Sequence, residues 1–225
     1  MKQQSFLVYT LLTANLLHLA CSCSPTTKHA TEESLYSIPY SETTPHPKEG
    51  KKVLIISSSP HKGGNTDQLC DAFAQGAAEA GGVVEKIFLY DYHLTPLTDK
   101  EIIDRKTDDD AELLIGKMLD ADVIVLASPV WFMNVNAQLK MLFDKTYFHF
   151  TEITDKEFYY ITASADTRED SCLRALLGFK GFVQVLPGAV ERGSLIAPAM
   201  GRSGAVQNTD YITRSYNLGK TINNH

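Results

Sequence analysis

Residues 57–66 read SSSPHKGGNT, behind the apolar run VLII (53–56) and ahead of DQLCDAFAQGAAEAG (67–81). A plain strand-to-helix connection needs about two to six residues and no special chemistry. This one gathers Ser57, Ser58, Ser59 and Thr66 with two adjacent glycines and Asn65. The apolar run marks a strand covered on both faces, the normal state of a parallel sheet. After it, Leu69, Phe73, Ala77 and Ala78 recur at helical spacing, and Gly81-Gly82 ends the helix. A helix start presents open N–H groups and a partial positive charge, so it attracts an anion. Gly63 and Gly64 let the backbone curl around such an anion. Ser57, Ser59, Asn65 and Thr66 add side-chain donors, and His61 and Lys62 add modest positive charge. The plainer alternative is a Ser/Gly-rich turn in which Asn65 or Thr66 caps the helix. Neither GxGxxG nor GxxxxGK is present, so the dinucleotide and nucleoside-triphosphate loops do not apply.

Working outward, strand-like and helix-like segments alternate. Strands are expected at VVEKIFLYD (83–91), VIVLAS (123–128), EFYYITASA (157–165) and GAVERGSLI (188–196). Helices are expected at 110–121, 136–148, 171–183 and 210–222, while HLTPLTDKEIIDRKTDDD (93–110) reads as irregular. This rhythm predicts an α/β three-layer, doubly wound sandwich around a five-stranded parallel sheet. Ligands of such sheets sit beyond the carboxyl ends of the strands, which selects three loops, 57–65, 128–136 and 162–168. The second, inside SPVWFMNVNAQLK (128–140), places Trp131 and Phe132 just past a strand end. Flat aromatic walls there suit a flat heteroaromatic ring, although packing against a helix or a second copy explains them as well.

The pairing of SSSPHKGGNT with SPVWFMNVNAQLKMLFDK resembles the flavodoxin-like NAD(P)H-dependent FMN reductases, whose loops read GSPRxxGNT and SPVYxxxxxxQLKxFxDR. The resemblance spans roughly 51–222. It implies that Ser59, His61, Asn65 and Thr66, with Ser57, hold the FMN phosphate. It further implies that Pro129, Val130, Trp131, Phe132 and Asn134 line the isoalloxazine. NADPH or NADH would be the electron donor, a quinone, flavin or similar small molecule the acceptor, and a homodimer the assembly. Two departures matter. His61 stands where the pattern has Arg, which makes phosphate affinity sensitive to pH near neutrality. Met133 stands where Gly is common, which narrows access to the ring. A branch of the family, the iron-sulfur flavoproteins, carries a run of Cys after the second strand; 93–110 contains none.

The bulk numbers agree with one enzyme-sized domain. The chain has 225 residues, 44% hydrophobic and 21% charged, enough for a packed core. A net charge of -6 argues against nucleic acid as partner. The four cysteines, 21, 23, 70 and 172, have neither zinc-site spacing nor disulfide-framework density. Residues 1–23 carry Lys2, the apolar FLVYTLLTANLLHLA and LACSCS, the order of a secretory signal, and the last resembles a lipoprotein cleavage site. The expectation is a lipidated Cys23 or Cys21 and placement in a bacterial cell envelope, with the cytoplasm as the alternative should the signal not function. Residues 24–50 are rich in Pro, Ser, Thr and Glu and read as a tether spanning ~30 Å. The domain then occupies 51–225.

Other signals have plainer readings. Asp108, Asp109 and Asp110 complement the start of the following helix rather than bind a metal. The seven His show no metal-ligand spacing, and His149 reads as a packed or interface residue. Cys70 reads as core and Cys172 as structural, although a helix start could lower its pKa. No GxSxG elbow accompanies the serines. No catalytic side chain is assigned, because the flavin carries such a reaction. Export would separate the domain from nicotinamides, so a membrane-tethered flavodoxin-like electron carrier is the second reading.

Overall fold

A computed structural model describes residues 50–224. The expected signal (1–23) and the tether, apart from Gly50, lie outside the described residues. Five strands and six helices follow in order: β1 (Lys52–Ser57), α1 (Asn65–Glu79), β2 (Val83–Phe88), α2 (Asp99–Asp104), α3 (Ala111–Asp120), β3 (Val123–Pro129), α4 (Ala137–Lys145), β4 (Glu157–Ala163), α5 (Asp170–Val183), β5 (Val190–Ala197) and α6 (Tyr211–Gly219). All strand pairs are parallel, in the order β2-β1-β3-β4-β5. This is the flavodoxin-like order, and sequence order reverses between β1 and β3. Among the described residues no helix is long and apolar enough to cross a membrane.

Strand alternation divides the core into two layers. Leu54, Ile56, Ile124, Leu126, Phe158 and Tyr160 face α3, α4 and α5. Val53, Ile55, Val123, Val125, Tyr159 and Ile161 face α1 and the C-terminal segment. The continuous apolar runs arise because β1, β3 and β4 are covered on both sides. On the second face α1 and α6 meet at two glycines. A Cβ on Gly76 would stand 2.0 Å from the Tyr216 carbonyl oxygen, and one on Gly219 would stand 2.2 Å from that of Phe73. Only hydrogen fits at this crossing.

The segment expected to be irregular contains α2. Its start is a capping box: the Thr98 hydroxyl accepts from the Glu101 N–H at 3.3 Å, and Glu101 Oε2 accepts from the Thr98 N–H at 2.9 Å. The signal was present as TDKE and is one of the sequence marks of a helix start. Glu101 Oε1 also pairs with Lys145 Nζ, and Asp109 lies 3.0 Å from the same ammonium. Asp109 accepts the Thr95 N–H at 2.8 Å and the Ala111 N–H at 3.0 Å. The helix-start role read for the acidic run therefore holds for Asp109, but its main task is a buried ion pair. Lys145 is fully buried, so this cluster fastens the 93–110 excursion to α4.

Burial pushes the Glu101 and Asp109 carboxyls up, yet the bonds to Lys145, Thr98, Thr95 and Ala111 outweigh it and hold both below their ordinary range. A depressed folded pKa stabilises above the unfolded value and loses that contribution as pH falls through the folded one. Lys145→Met should cost about 3–5 kcal/mol at neutral pH, because two buried carboxylates lose their counter-charge. That deficit should shrink as pH falls below the ordinary carboxylate range, where the carboxylates protonate; urea midpoints at neutral and at acidic pH measure it. Gly76→Ala should lower stability by about 1–3 kcal/mol through overpacking against Tyr216. Gly116→Ala, whose Cβ would meet nothing within 4 Å, should be neutral or stabilising by up to about 1 kcal/mol. Denaturant titration of both variants checks the contrast.

Candidate functional site

A cavity of about 360 Å3 opens at the β1/β3 reversal, on the carboxyl edge of the sheet. Ser59, His61, Gly64, Asn65 and Thr66 form one wall, and Pro129, Val130 and Trp131 form another. Two larger depressions exist. One, of about 580 Å3, lies at the amino ends of β1 and β2 around Lys52 and Val83, the edge where such sheets do not bind ligands. The other, of about 680 Å3, is an apolar groove between α4 and α5 with few hydrogen-bonding groups.

The first wall is built around the start of α1. Gly64 is its N-cap and supplies no side-chain hydrogen bond. Three first-turn donors, the N–H groups of Asn65, Thr66 and Asp67, have no acceptor among the described residues. Gly63 adopts φ +71°, a conformation that favours glycine, and its N–H donates to Asp67 Oδ2 at 2.8 Å. Lys86 pairs with Asp67 at 2.9 Å, which neutralises the carboxylate nearest the helix start. Thr66 is 3% exposed, lines the cavity, and its hydroxyl has no partner among the described residues. Open donors on a positive helix end form an anion cradle.

The second wall depends on a clamp that sequence reasoning missed. The Asn136 amide donates to the Ser58 carbonyl, and its oxygen caps α4 by accepting from the Leu139 N–H at 3.3 Å. Its backbone N–H donates to Ser128 Oγ at 3.0 Å. One buried residue thus fixes the β1 loop against the β3 loop. An Asn directly before AQLKMLF is a helix-cap signal that could have found it. The Val130 N–H donates to the Ala163 carbonyl at 2.8 Å, which aligns the second and third loops.

Seven of the ten expected site residues surround this one cavity: Ser59, His61, Asn65, Thr66, Pro129, Val130 and Trp131. Three do not. Ser57 is fully buried beside Cys70 and does not line the cavity. Phe132 projects fully into solvent, and it and Asn134 border the α4/α5 groove instead. The cause is a tight turn in which Trp131 and Asn134 pair through N–H to carbonyl bonds of 2.9 and 3.1 Å. Its central residues, Phe132 at φ +48° and Met133 at φ +63°, occupy the left-handed region where bulky side chains are strained. Asn65 lines the cavity, yet its amide is fully engaged elsewhere, so only its backbone N–H remains open to a ligand. Lys62 turns away to Asp91 at 2.6 Å and stacks over Phe88. Gly201, Arg202 and Ser203 form a third wall that lay outside the sequence expectations.

The set-aside residues have structural surroundings. Burial raises the Cys172 thiol above its ordinary value, opposite to an activated cysteine, and pushes Cys70 up to about 12. His149 sits between Glu112 at 3.1 Å and Glu152 at 3.3 Å. Among the described residues no group of three or more His, Cys, Asp or Glu could hold a metal ion.

Comparison with known proteins bears on the family and the fold. The family described as NADPH-dependent FMN reductase matches residues 51–190. An iron-sulfur flavoprotein of Methanocaldococcus jannaschii is 39% identical over 99 residues, covering 42% of this chain and 51% of the relative. One of Methanosarcina thermophila is 34% identical over 101 residues, covering 42% and 52%. The chain thus spans about half the length of these curated relatives. The described residues contain only two cysteines, both buried, fewer than the thiolates an iron-sulfur cluster requires. Among solved structures, the NAD(P)H:quinone oxidoreductase from Methanothermobacter marburgensis superposes with a TM-score of 0.60 at 21% identity, covering 78% of this chain and 98% of that one. That likeness establishes the flavodoxin-like fold. With most of its domain matched from β1 to the start of β5, the chain belongs to the NADPH-dependent FMN reductase family.

Proposed function

We propose that this chain binds FMN at the β1/β3 cavity and passes electrons from NADPH or NADH to a quinone, flavin or similar small acceptor. The observation that carries this reading is the pairing of one polar and one flat apolar end in a single cavity. Thr66 and the open N–H groups at the start of α1 suit a phosphate, and Pro129, Val130 and Trp131 suit the face and edge of a ring. FMN, when bound, would supply hydride acceptance and onward electron transfer. The protein's share is to orient the ring and exclude water with Trp131, and to hold the phosphate with fixed donors. A homodimer belongs to this reading, since the exposed Trp131–Met133 turn borders an apolar groove that a second copy would cover.

The second reading is a tethered electron carrier in the bacterial cell envelope, without nicotinamide turnover. It is favoured by the apolar segment and LACSCS of residues 1–23. One experiment separates them. The purified full chain should be yellow or become so with added FMN, and should oxidise NADPH or NADH when menadione is supplied. A flavin spectrum that stays inert to both nicotinamides but bleaches with dithionite would favour the carrier. Failure to take up FMN at all would overturn both.

A further inference from the structure

The FMN reductase match ends at residue 190, at the start of β5, yet the cavity has a wall beyond it. That wall is the loop after β5, residues 198–206, and Asn65 fastens it to the first turn of α1. Asn65 Nδ2 donates to the carbonyls of Met200 at 3.0 Å and Arg202 at 2.7 Å, and Oδ1 accepts from the Val206 N–H at 3.2 Å. The far side is fixed as well. The Met200 N–H donates to the Ser164 carbonyl at 2.7 Å and the Ala199 N–H to that of Asp166 at 2.7 Å. Ala199 adopts φ +62°, a strained conformation that this double anchoring maintains. The loop therefore borders the cavity as a fixed wall.

Charge makes this wall informative. Among the residues lining the cavity, Arg202 is the only Lys or Arg. Lys62, the cation of the first loop, is paired with Asp91, and Lys86 is paired with Asp67 and Asp71. Arg202 is exposed and has no ion pair among the described residues. The same cavity is lined by Thr66, a 3% exposed residue whose hydroxyl has no hydrogen-bond partner among the described residues, beside the open N–H groups of Asn65, Thr66 and Asp67. A phosphomonoester carries close to two negative charges at neutral pH. A helix end offers about half a positive charge, so a full cation is missing from the first wall.

Resting on the FMN reading above, we propose that Arg202 closes the phosphate site from the C-terminal loop and that Asn65 is its positioning residue. The guanidinium supplies the permanent charge that His61 does not, and its planar fork matches phosphate oxygens. The Asn65 amide acts on the loop rather than on the ligand.

Fluorescence-quenching titrations of the full chain with FMN and with riboflavin, which lacks the phosphate, test this. Arg202→Gln should weaken FMN binding about 10- to 100-fold and change riboflavin binding less than about twofold. Arg202→Lys should recover part of the loss, because charge returns without the fork. Asn65→Ala should weaken FMN selectively as well, and its effect should be less than additive with Arg202→Gln. Wild-type FMN affinity in Arg202→Gln would overturn the proposal while leaving the cavity assignment intact. A wild-type chain that binds FMN and riboflavin equally would overturn the phosphate site itself, and the proposal with it.

Discussion

The arrangement depends on a helix left uncapped. Most helices close their first turn with a Ser, Thr, Asp or Asn side chain, because open N–H groups buried without partners are costly. Here Gly64 occupies the cap and offers nothing, while Asn65, one position later, turns its amide to another loop. The first-turn donors are thereby reserved for a ligand. A side chain at Gly64 would also be crowded, since a Cβ would stand 3.0 Å from the His61 carbonyl oxygen. An anion satisfies the donors and the helix dipole together, which is why the loop gathers small residues rather than a cap.

The remaining features hold that opening in place. Asn136 fixes the β1 and β3 loops to each other, and the Lys145 cluster ties α4 to the 93–110 excursion. In the turn after β3, Phe132 and Met133 occupy strained backbone and project apolar surface into solvent. Strain and exposure of this kind collect at binding surfaces, where occupancy by a ligand or a second copy offsets them.

Much of this was legible in the sequence. VLII, VIVLAS and EFYYITASA gave buried parallel strands because their apolar runs have no polar alternation. SSSPHKGGNT located the switch-point loop because glycines and hydroxyls have little other reason to cluster there. The short helix at 99–104 was less visible, since six residues carry no periodicity and only the Thr98–Glu101 spacing marks it. The position of Phe132 outside the cavity lining was not legible, because an apolar residue after a strand does not announce a turn with positive φ. The roles of Asn65 and Arg202 could not be read at all. They are joined by one hydrogen bond across 137 residues of sequence, and local pattern carries no trace of that pairing.

The central claim is that the first turn of α1 grips a phosphate. Amide 1H–15N spectra of the labelled full chain, recorded with riboflavin and then with FMN, address it most directly. The account predicts that the amides of Asn65, Thr66 and Asp67 shift strongly downfield with FMN and little with riboflavin, as N–H groups acquire a charged acceptor. Equal shifts with both flavins, or unmoved first-turn amides while FMN binds elsewhere, would contradict it.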